Sequence, residues 1–478
     1  MNRILKVHPD DNIVVALQDF SAGQQLFLDD ESYLLREDIP VKHKFAAVDF
    51  AIGDKVVMYG VQIGQAVEPI ASGERITVDN VKHAAESYSV QATHKSWQAP
   101  DASAFAHRAF MGYHRKDGKV GTRNYWLVFP LVFCENRNIE AIEEAMLAGL
   151  GYPSGKKQGA DVSRLVAMYQ QGASPDAILQ ADIYANPVQE ASSRVFPNID
   201  GIKFLTHQGG CGGIRQDSEV LCRLLAGYIA NPNVAGATVL SLGCQNAQYQ
   251  LLAEAIANIP GASDKPLVVL EQQESKSEKE FIAQAIKRTF LGLIAANQVE
   301  RKPAPLSKLV LGLECGGSDG FSGITANPAL GHTSDLLVAL GGTTILSEFP
   351  ELNGVEQELL NRCTSEALAT KFAHLMTAYS DRAEAAGSGF DMNPSPGNIR
   401  DGLITDAMKS AGAAKKGGTS PVVDVLDYTE QANQPGLTLL CTPGNDVEST
   451  TGLAGSGANL IVFTTGLGTP TGNPVRQR

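Results

Sequence analysis

Residues 308–331 read KLVLGLECGGSDGFSGITANPALG. The first seven, Lys308–Glu314, form a short apolar run of the length of a buried strand. Cys315–Gly320 is a glycine-rich turn, and Asn327-Pro328-Ala329-Leu330-Gly331-His332 opens a helix. Strand, tight turn and helix in that order are the unit of a parallel sheet covered by helices. The same texture repeats outward in both directions. Candidate strands are Asn124–Val132, Gly201–Thr206, Ala237–Leu242, Pro266–Glu271, Thr343–Ser347, Val422–Leu426, Leu437–Cys441 and Asn459–Thr464. Helical stretches include Ile139–Leu147, Ser218–Ala230, Ser277–Ala295 and Glu356–Leu368.

The first 85 residues have a different texture. Short β-prone runs (Ile13–Leu17, Gln25–Leu28, Lys55–Val61, Arg75–Val78) alternate with Pro, Gly, Ser and Asp turns, which predicts a small β module. Residues 86–107 lose periodicity and read as a linker. Asn297–Ser307, NQVERKPAPLS, carries two prolines between a helix and a strand and marks a second boundary. The expected fold is therefore α/β. A β module (1–85) and a linker (86–107) precede one α/β domain (108–298) and a second (299–478).

Composition narrows the function. The 478 residues carry a net charge of −13, so a phosphate backbone is repelled and nucleic acid is not an expected partner. MNRILKVHPDDN lacks the apolar core of a signal peptide, and no apolar run approaches the ~18 residues of a membrane span. Seven scattered cysteines do not make a disulfide framework. The expectation is a cytoplasmic protein with reduced thiols and no membrane partner. Glycine, 47 of 478, exceeds the usual ~7%, which points to loops where backbone approaches something closely.

Those loops sit at the carboxyl ends of the predicted strands, where open parallel sheets bind ligands. The ends read THQGGCGG (206–213), GCQN (243–246), ECGGSDG (314–320), CTPGND (441–446) and TTGLGTPTG (464–472). Cys211, Cys244, Cys315 and Asp319 are candidate metal ligands, since thiolate and carboxylate suit iron or zinc. No Cys-x-x-Cys pair occurs, so spacing alone selects no ion. Cys222 and Cys363, in helical stretches, read as structural thiols. His207 is a candidate base or ligand. Glu348, at another strand end, suits proton transfer. Arg123 has the fork to clamp a carboxylate, beside Asn124. Asn327, Thr464 and Thr465 are candidates for binding polyol hydroxyls. No phosphate-binding or serine-hydrolase motif has the right spacing.

The long stretches DNIVVAL (11–17), HKFA (43–46), DGKVGTRNYWLVFPLVFCENRN (117–138), THQGGCGG, VLSLGCQN (239–246) and LECGGSDGFSGITANPALG (313–331) resemble the altronate/galactarate dehydratase family. NPSPGN (393–398), KKGGTSP (415–421) and CTPGNDVESTTGLAGSGAN (441–459) extend that resemblance over nearly the whole chain. It implies an N-terminal SAF-type β-clip module, a second α/β domain and a Rossmann-like third. It implies a hydro-lyase for a sugar acid, with Fe²⁺ or a related divalent metal such as Mn²⁺, and a homo-oligomer, expected as a dimer. The VFCENRN and LGCQN variants favour the altronate branch. An Fe–S hydro-lyase, a galactarate dehydratase, a sulfo-lyase and a non-catalytic sugar-acid-binding protein are the alternatives. Family members continue past GLGTPTGNPV, so the last domain is expected to lack a strand and a closing helix.

Overall fold

The computed structural model describes residues 3–90, 96–152, 162–181, 194–466, 468–469 and 471–475. Part of the predicted linker, residues 153–161, residues 182–193 and the tail from Arg476 lie outside them.

The N-terminal module is all β. Ile4–Leu5, Ile13–Ala16 and Lys44–Ala46 form one antiparallel sheet, Gln25–Leu28 and Glu31–Leu34 a hairpin, and Lys55–Met58, Val61–Ala66 and Val81–Lys82 a third unit. The single run expected over Lys55–Val61 is thus a hairpin turning at Tyr59-Gly60, both with positive φ. Arg75–Val78 is not a strand; Arg75 makes only an isolated bridge to Phe45. Ile13, Val15, Met58 and Ile63 share one buried core with Leu346, Phe349 and Met408 far along the chain, so the module is packed onto the last domain.

The second domain holds a parallel sheet of β1 (Tyr125–Pro130), β2 (Gly201–Phe204), β3 (Val234–Ser241) and β4 (Leu267–Glu271), in the order β2-β1-β3-β4. β1 and β3 are buried at every residue, because helices cover both faces. The helix Asn136–Leu150 buries Ile139, Ile142, Met146 and Leu150, one stripe at helical spacing, and stops at Gly151 in the left-handed conformation.

The third domain holds β5 (Val310–Cys315), β6 (Thr343–Leu346), β7 (Val422–Leu426), β8 (Gly436–Leu440) and β9 (Leu460–Thr464). All pairings are parallel, in the order β7-β8-β6-β5-β9. β6 lies on one side of β5 and β9, the last strand, on the other, so the crevice of this sheet lies outside the carboxyl ends of β5 and its neighbours. The helix expected over Glu356–Leu368 is broken. Glu356–Leu360 ends, and Glu366–Ala385 restarts where the Ser365 side chain accepts from Leu368 N. Cys363 therefore lies between helices, buried against Val422.

The segment Lys302–Pro305, expected as linker, is a strand paired antiparallel with Ala109–His114, which clasps the entry and exit of the second domain. Buried Asn233 and Asn459 tie the two parallel sheets together. Thr122 Oγ1 and Asn233 Nδ2 both donate to the Asn459 carbonyl at 2.8 Å.

Candidate active site at the carboxyl edge of the third domain

β5 reads VLGLEC and ends by placing an acid and a thiol inside the protein. Glu314 is fully buried and Cys315 nearly so. β6, alongside, runs into Ser347 and Glu348. Glu348 adopts a left-handed backbone (φ 66°), a conformation a non-glycine residue holds only when its surroundings impose it. Thr442, after β8, accepts from Glu348 N at 2.9 Å and fixes that turn. The turn aims the carboxylate back over the end of β5.

The counter-charge comes from Lys416, buried after the helix Asp406–Ala414. Its Nζ lies 2.5 Å from Glu348 Oε2 and 2.8 Å from Cys315 Sγ. Around this trio, Glu351 accepts from the Cys315 thiol at 3.7 Å and pairs with Lys409 at 2.7 Å. Glu314 Oε2 accepts from Ser449 Oγ at 2.6 Å and Ser347 Oγ at 3.2 Å. Burial raises the Glu314 pKa well above the carboxylate range, and the nearby Glu348 charge adds to this. Burial also pushes Glu348 up, to about 7, and the Cys315 thiol well above its ordinary value. Burial disfavours the Lys416 ammonium, but the surrounding Cys315 and Glu348 charges win and hold its pKa high.

One oxygen of each central carboxylate, Glu314 Oε1 and Glu348 Oε1, is buried without a hydrogen-bond partner. Ligand atoms of Glu314, Glu348 and Asp446 lie within 4.8 Å of one another, as do those of Cys315, Glu348 and Glu351. Buried carboxylates that close require a proton or a cation between them. With a cation in place of the proton that burial keeps on Glu314, four ionised acids (Glu314, Glu348, Glu351 and Asp446) would face two lysines, 416 and 409, so a divalent cation fits the charge. A set of carboxylate oxygens suits a hard ion such as Mg²⁺ or Mn²⁺, and Fe²⁺ among the borderline ones. Backbone makes room: a methyl group on Gly316 would fall 2.5 Å from Asp446 Oδ2.

The N-terminal module closes one side of this edge. Lys42 Nζ reaches Asp319 at 3.0 Å and Asp401 at 3.3 Å. His43 Nε2 meets the Arg400 carbonyl at 3.0 Å, and the buried Lys44 donates to the Gly402 carbonyl at 2.7 Å.

The predicted site residues separate into three places. Glu348 and Cys315 are in the buried cluster. Asp319 is one turn away, where burial is outweighed by hydrogen bonds from Ser322 and by Lys42, which hold its carboxyl below the usual range. Its oxygens thus serve the loop and the module rather than the Cys315 cluster. Asn327 and Thr464 do meet, Thr464 Oγ1 donating to Asn327 Oδ1 at 2.6 Å, and they brace β9 against the helix Ala326–Ala339. Thr465 Oγ1 accepts from Gly468 N at 2.9 Å. His332 is exposed midway along that helix, not at its start.

Cys211 and Cys244 lie in the second domain, at the carboxyl edge of the other sheet, and are exposed. His207 is there too, with both ring nitrogens engaged. Nε2 donates to the Pro130 carbonyl at 2.8 Å and Nδ1 accepts from Gly209 N at 3.1 Å, while burial lowers its pKa. With no lone pair free, it staples a loop and is not set up as a base. Arg123 and Asn124 precede β1, so they sit at the amino edge, away from either crevice. Arg123 pairs with Asp200 at 3.6 Å, and Asn124 is spent on Arg115 and the Asn198 carbonyl. The carboxylate clamp expected of Arg123 has no support from that position.

Sequence reasoning passed over Glu314, Glu351, Lys409, Lys416, Asp446 and Ser449. Glu314, an acid at the end of an otherwise apolar strand, and Asp446, in the glycine-bearing strand end CTPGND, carried local signals. Lys416, in KKGG, looks like any loop lysine until the fold buries it.

Three family models together match most of the chain. They are the altronate/galactarate dehydratase SAF domain over residues 2–84, the D-galactarate dehydratase/altronate hydrolase second domain over 112–297, and the D-galactarate/altronate dehydratase C-terminal domain over 306–476. Among curated relatives, altronate dehydratase of Escherichia coli (strain K12) is 33% identical over 468 residues, 98% of this chain and 84% of that protein. Altronate dehydratase of Bacillus subtilis (strain 168) is 34% identical over 473 residues, 99% of this chain and 85% of that protein. Galactarate dehydratase (L-threo-forming) of Escherichia coli (strain K12) is 30% identical over 479 residues, 98% of this chain and 82% of that protein. With all three domains matched in order and relatives aligned from end to end of the chain, the protein belongs to the altronate/galactarate dehydratase family.

Proposed function

We propose that the protein is a hydro-lyase that removes water from D-altronate to give 2-keto-3-deoxy-D-gluconate. The observation that carries this reading is the alignment over nearly the whole chain with two altronate dehydratases, at higher identity than with the galactarate enzyme. The buried acid–lysine cluster supplies the chemistry that the reaction needs.

The C2 proton of an aldonate lies beside a carboxylate and is very weakly acidic. Glu348 is the proton acceptor. Its Oε2 is held by Lys416, its Oε1 is free, and its pKa near 7 suits a base at neutral pH. As the C2–H bond breaks, its electron pair forms the C2–C3 double bond and the C3–O bond breaks. Lys416 delivers a proton to the departing hydroxyl, so water leaves and the enol tautomerises to the 2-keto acid. Ser347 and Ser449 hold Glu314 in place. Glu314 and Asp446 would hold a divalent cation, expected as Fe²⁺ from the family resemblance with Mn²⁺ as the alternative, which would supply Lewis-acid stabilisation of negative charge on the substrate.

The test is an anaerobic assay against a panel of hexonates and aldarates, with and without added Fe²⁺. Keto-acid formation from D-altronate, dependent on the metal, is expected. Turnover of galactarate in preference to altronate, or binding without turnover, would overturn the assignment.

A further inference from the structure

Of the seven cysteines, Cys222, Cys315, Cys363 and Cys441 are buried, while Cys134, Cys211 and Cys244 are exposed. A buried free cysteine behaves as a small hydrophobe, but an exposed one is a reactive liability unless it has a task. All three exposed thiols lie at one place in the fold. Cys134 follows β1, Cys211 follows β2 and Cys244 follows β3, and these are adjacent strands in the order β2-β1-β3. The chain leaves β1 to opposite sides, so this edge is the switch point of the second sheet, where ligands bind.

The three loops are locked together. Phe133 N donates to the Gly209 carbonyl at 3.1 Å, and Asn246 N donates to the Gly210 carbonyl at 3.0 Å. Asn246 Nδ2 reaches the Cys211 carbonyl at 3.4 Å, and Asn136 Nδ2 the His207 carbonyl at 2.8 Å. Gly210 is pressed so close that a methyl group there would lie 1.9 Å from the Leu131 carbonyl oxygen. Beside Cys211 there is room, since a methyl group on Gly212 would meet nothing within 4 Å. The helices Asn136–Leu150 and Arg215–Ala230 begin just after Cys134 and Cys211, so their amide ends favour negative charge at this edge.

We propose that Cys134, Cys211 and Cys244 are the three thiolate ligands of a [4Fe–4S] cluster at this edge. Ligand chemistry favours a cluster: three soft thiolates from three neighbouring strand ends suit iron–sulfur ligation. Thiolates about 2.3 Å from a single tetrahedral ion crowd together. A cluster holds its thiolates further apart, because several irons stand between them. Three protein ligands leave one iron open. The site is separate from the Glu314–Glu348–Asp446 cradle and does not rest on the function proposed for it.

The test reads metal and sulfide rather than turnover. The full chain is reconstituted anaerobically with ferrous iron and sulfide, desalted and analysed. Expected are about four irons and four acid-labile sulfides per chain, with a visible charge-transfer band. C134S, C211S and C244S each lower bound sulfide at least about tenfold while circular dichroism stays unchanged, and C222A retains it. In the unmodified reconstituted protein, these three thiols resist alkylation until the cluster is oxidised away, a readout that needs no variant. Iron or zinc bound without sulfide, full alkylation before oxidation, or sulfide retained by the triple serine variant would each overturn the proposal.

Discussion

Replacing Lys416 by Met tests the electrostatic core of the candidate site. The methionine keeps most of the side-chain volume but deletes the ammonium that sits 2.5 Å from Glu348 Oε2 and 2.8 Å from Cys315 Sγ. Lys416 and Glu348 are each about 1% exposed, so water cannot take over the lost contact. Removing one partner of a buried pair and stranding the other costs about 3–5 kcal/mol. A domain of 150–250 residues loses about 2–4 °C of melting temperature per kcal/mol, so a fall of at least about 6 °C is expected in its transition. The assay is thermal unfolding at pH 7.5 of K416M, E348Q and the double variant. The double variant should be more stable than K416M, because the glutamine no longer buries a charge. A K416M protein within about 1 kcal/mol of the parent, or a double variant whose losses simply add, would refute the idea that this pair neutralises the site.

Four further outcomes follow from the same geometry. E348Q should lower kcat at least about 100-fold with little change in melting temperature beyond the pair effect, measured by keto-acid release. E314Q and D446N should raise the divalent-metal concentration for half-maximal activity at least about tenfold, read from metal titrations. Asp406 is raised by burial to about 7, with Asn353 Nδ2 at 2.5 Å. The folded state thus holds a proton that the unfolded chain releases at ordinary carboxylate pH, so this contribution to stability is full at low pH and is lost as pH rises through about 7. D406N should flatten that slope in denaturant titrations from pH 5 to 8. G210A should destabilise the second domain by more than about 2 kcal/mol, since the residue has φ 93° and no space for a methyl group; an unchanged melting temperature would contradict the close packing of its loop.

Much of the fold was legible because its signals are local. VLGLEC, YWLVFP and GLTLL are apolar runs of strand length, and each belongs to a sheet buried on both faces. Glycine-rich turns after them marked the edges where ligands bind. The errors fell where a local pattern has two readings. Glu356–Leu368 kept helical periodicity across a break that only the Ser365 cap reveals, and KPAP looked like linker until Ala109–His114 offered it a strand partner.

What the chain alone determined, then, was the class of each segment and the strand ends at which chemistry gathers, because secondary structure and turns depend on neighbours a few residues away. The tertiary structure decided which ends share a site. Cys315 meets Lys416 across 101 residues of chain and Glu348 meets it across 68, while Cys211 and Cys244, alike in sequence context, belong to a different sheet. Partnership between side chains so far apart is set by strand order and by which element buries which charge, and neither is written in the spacing of the residues themselves.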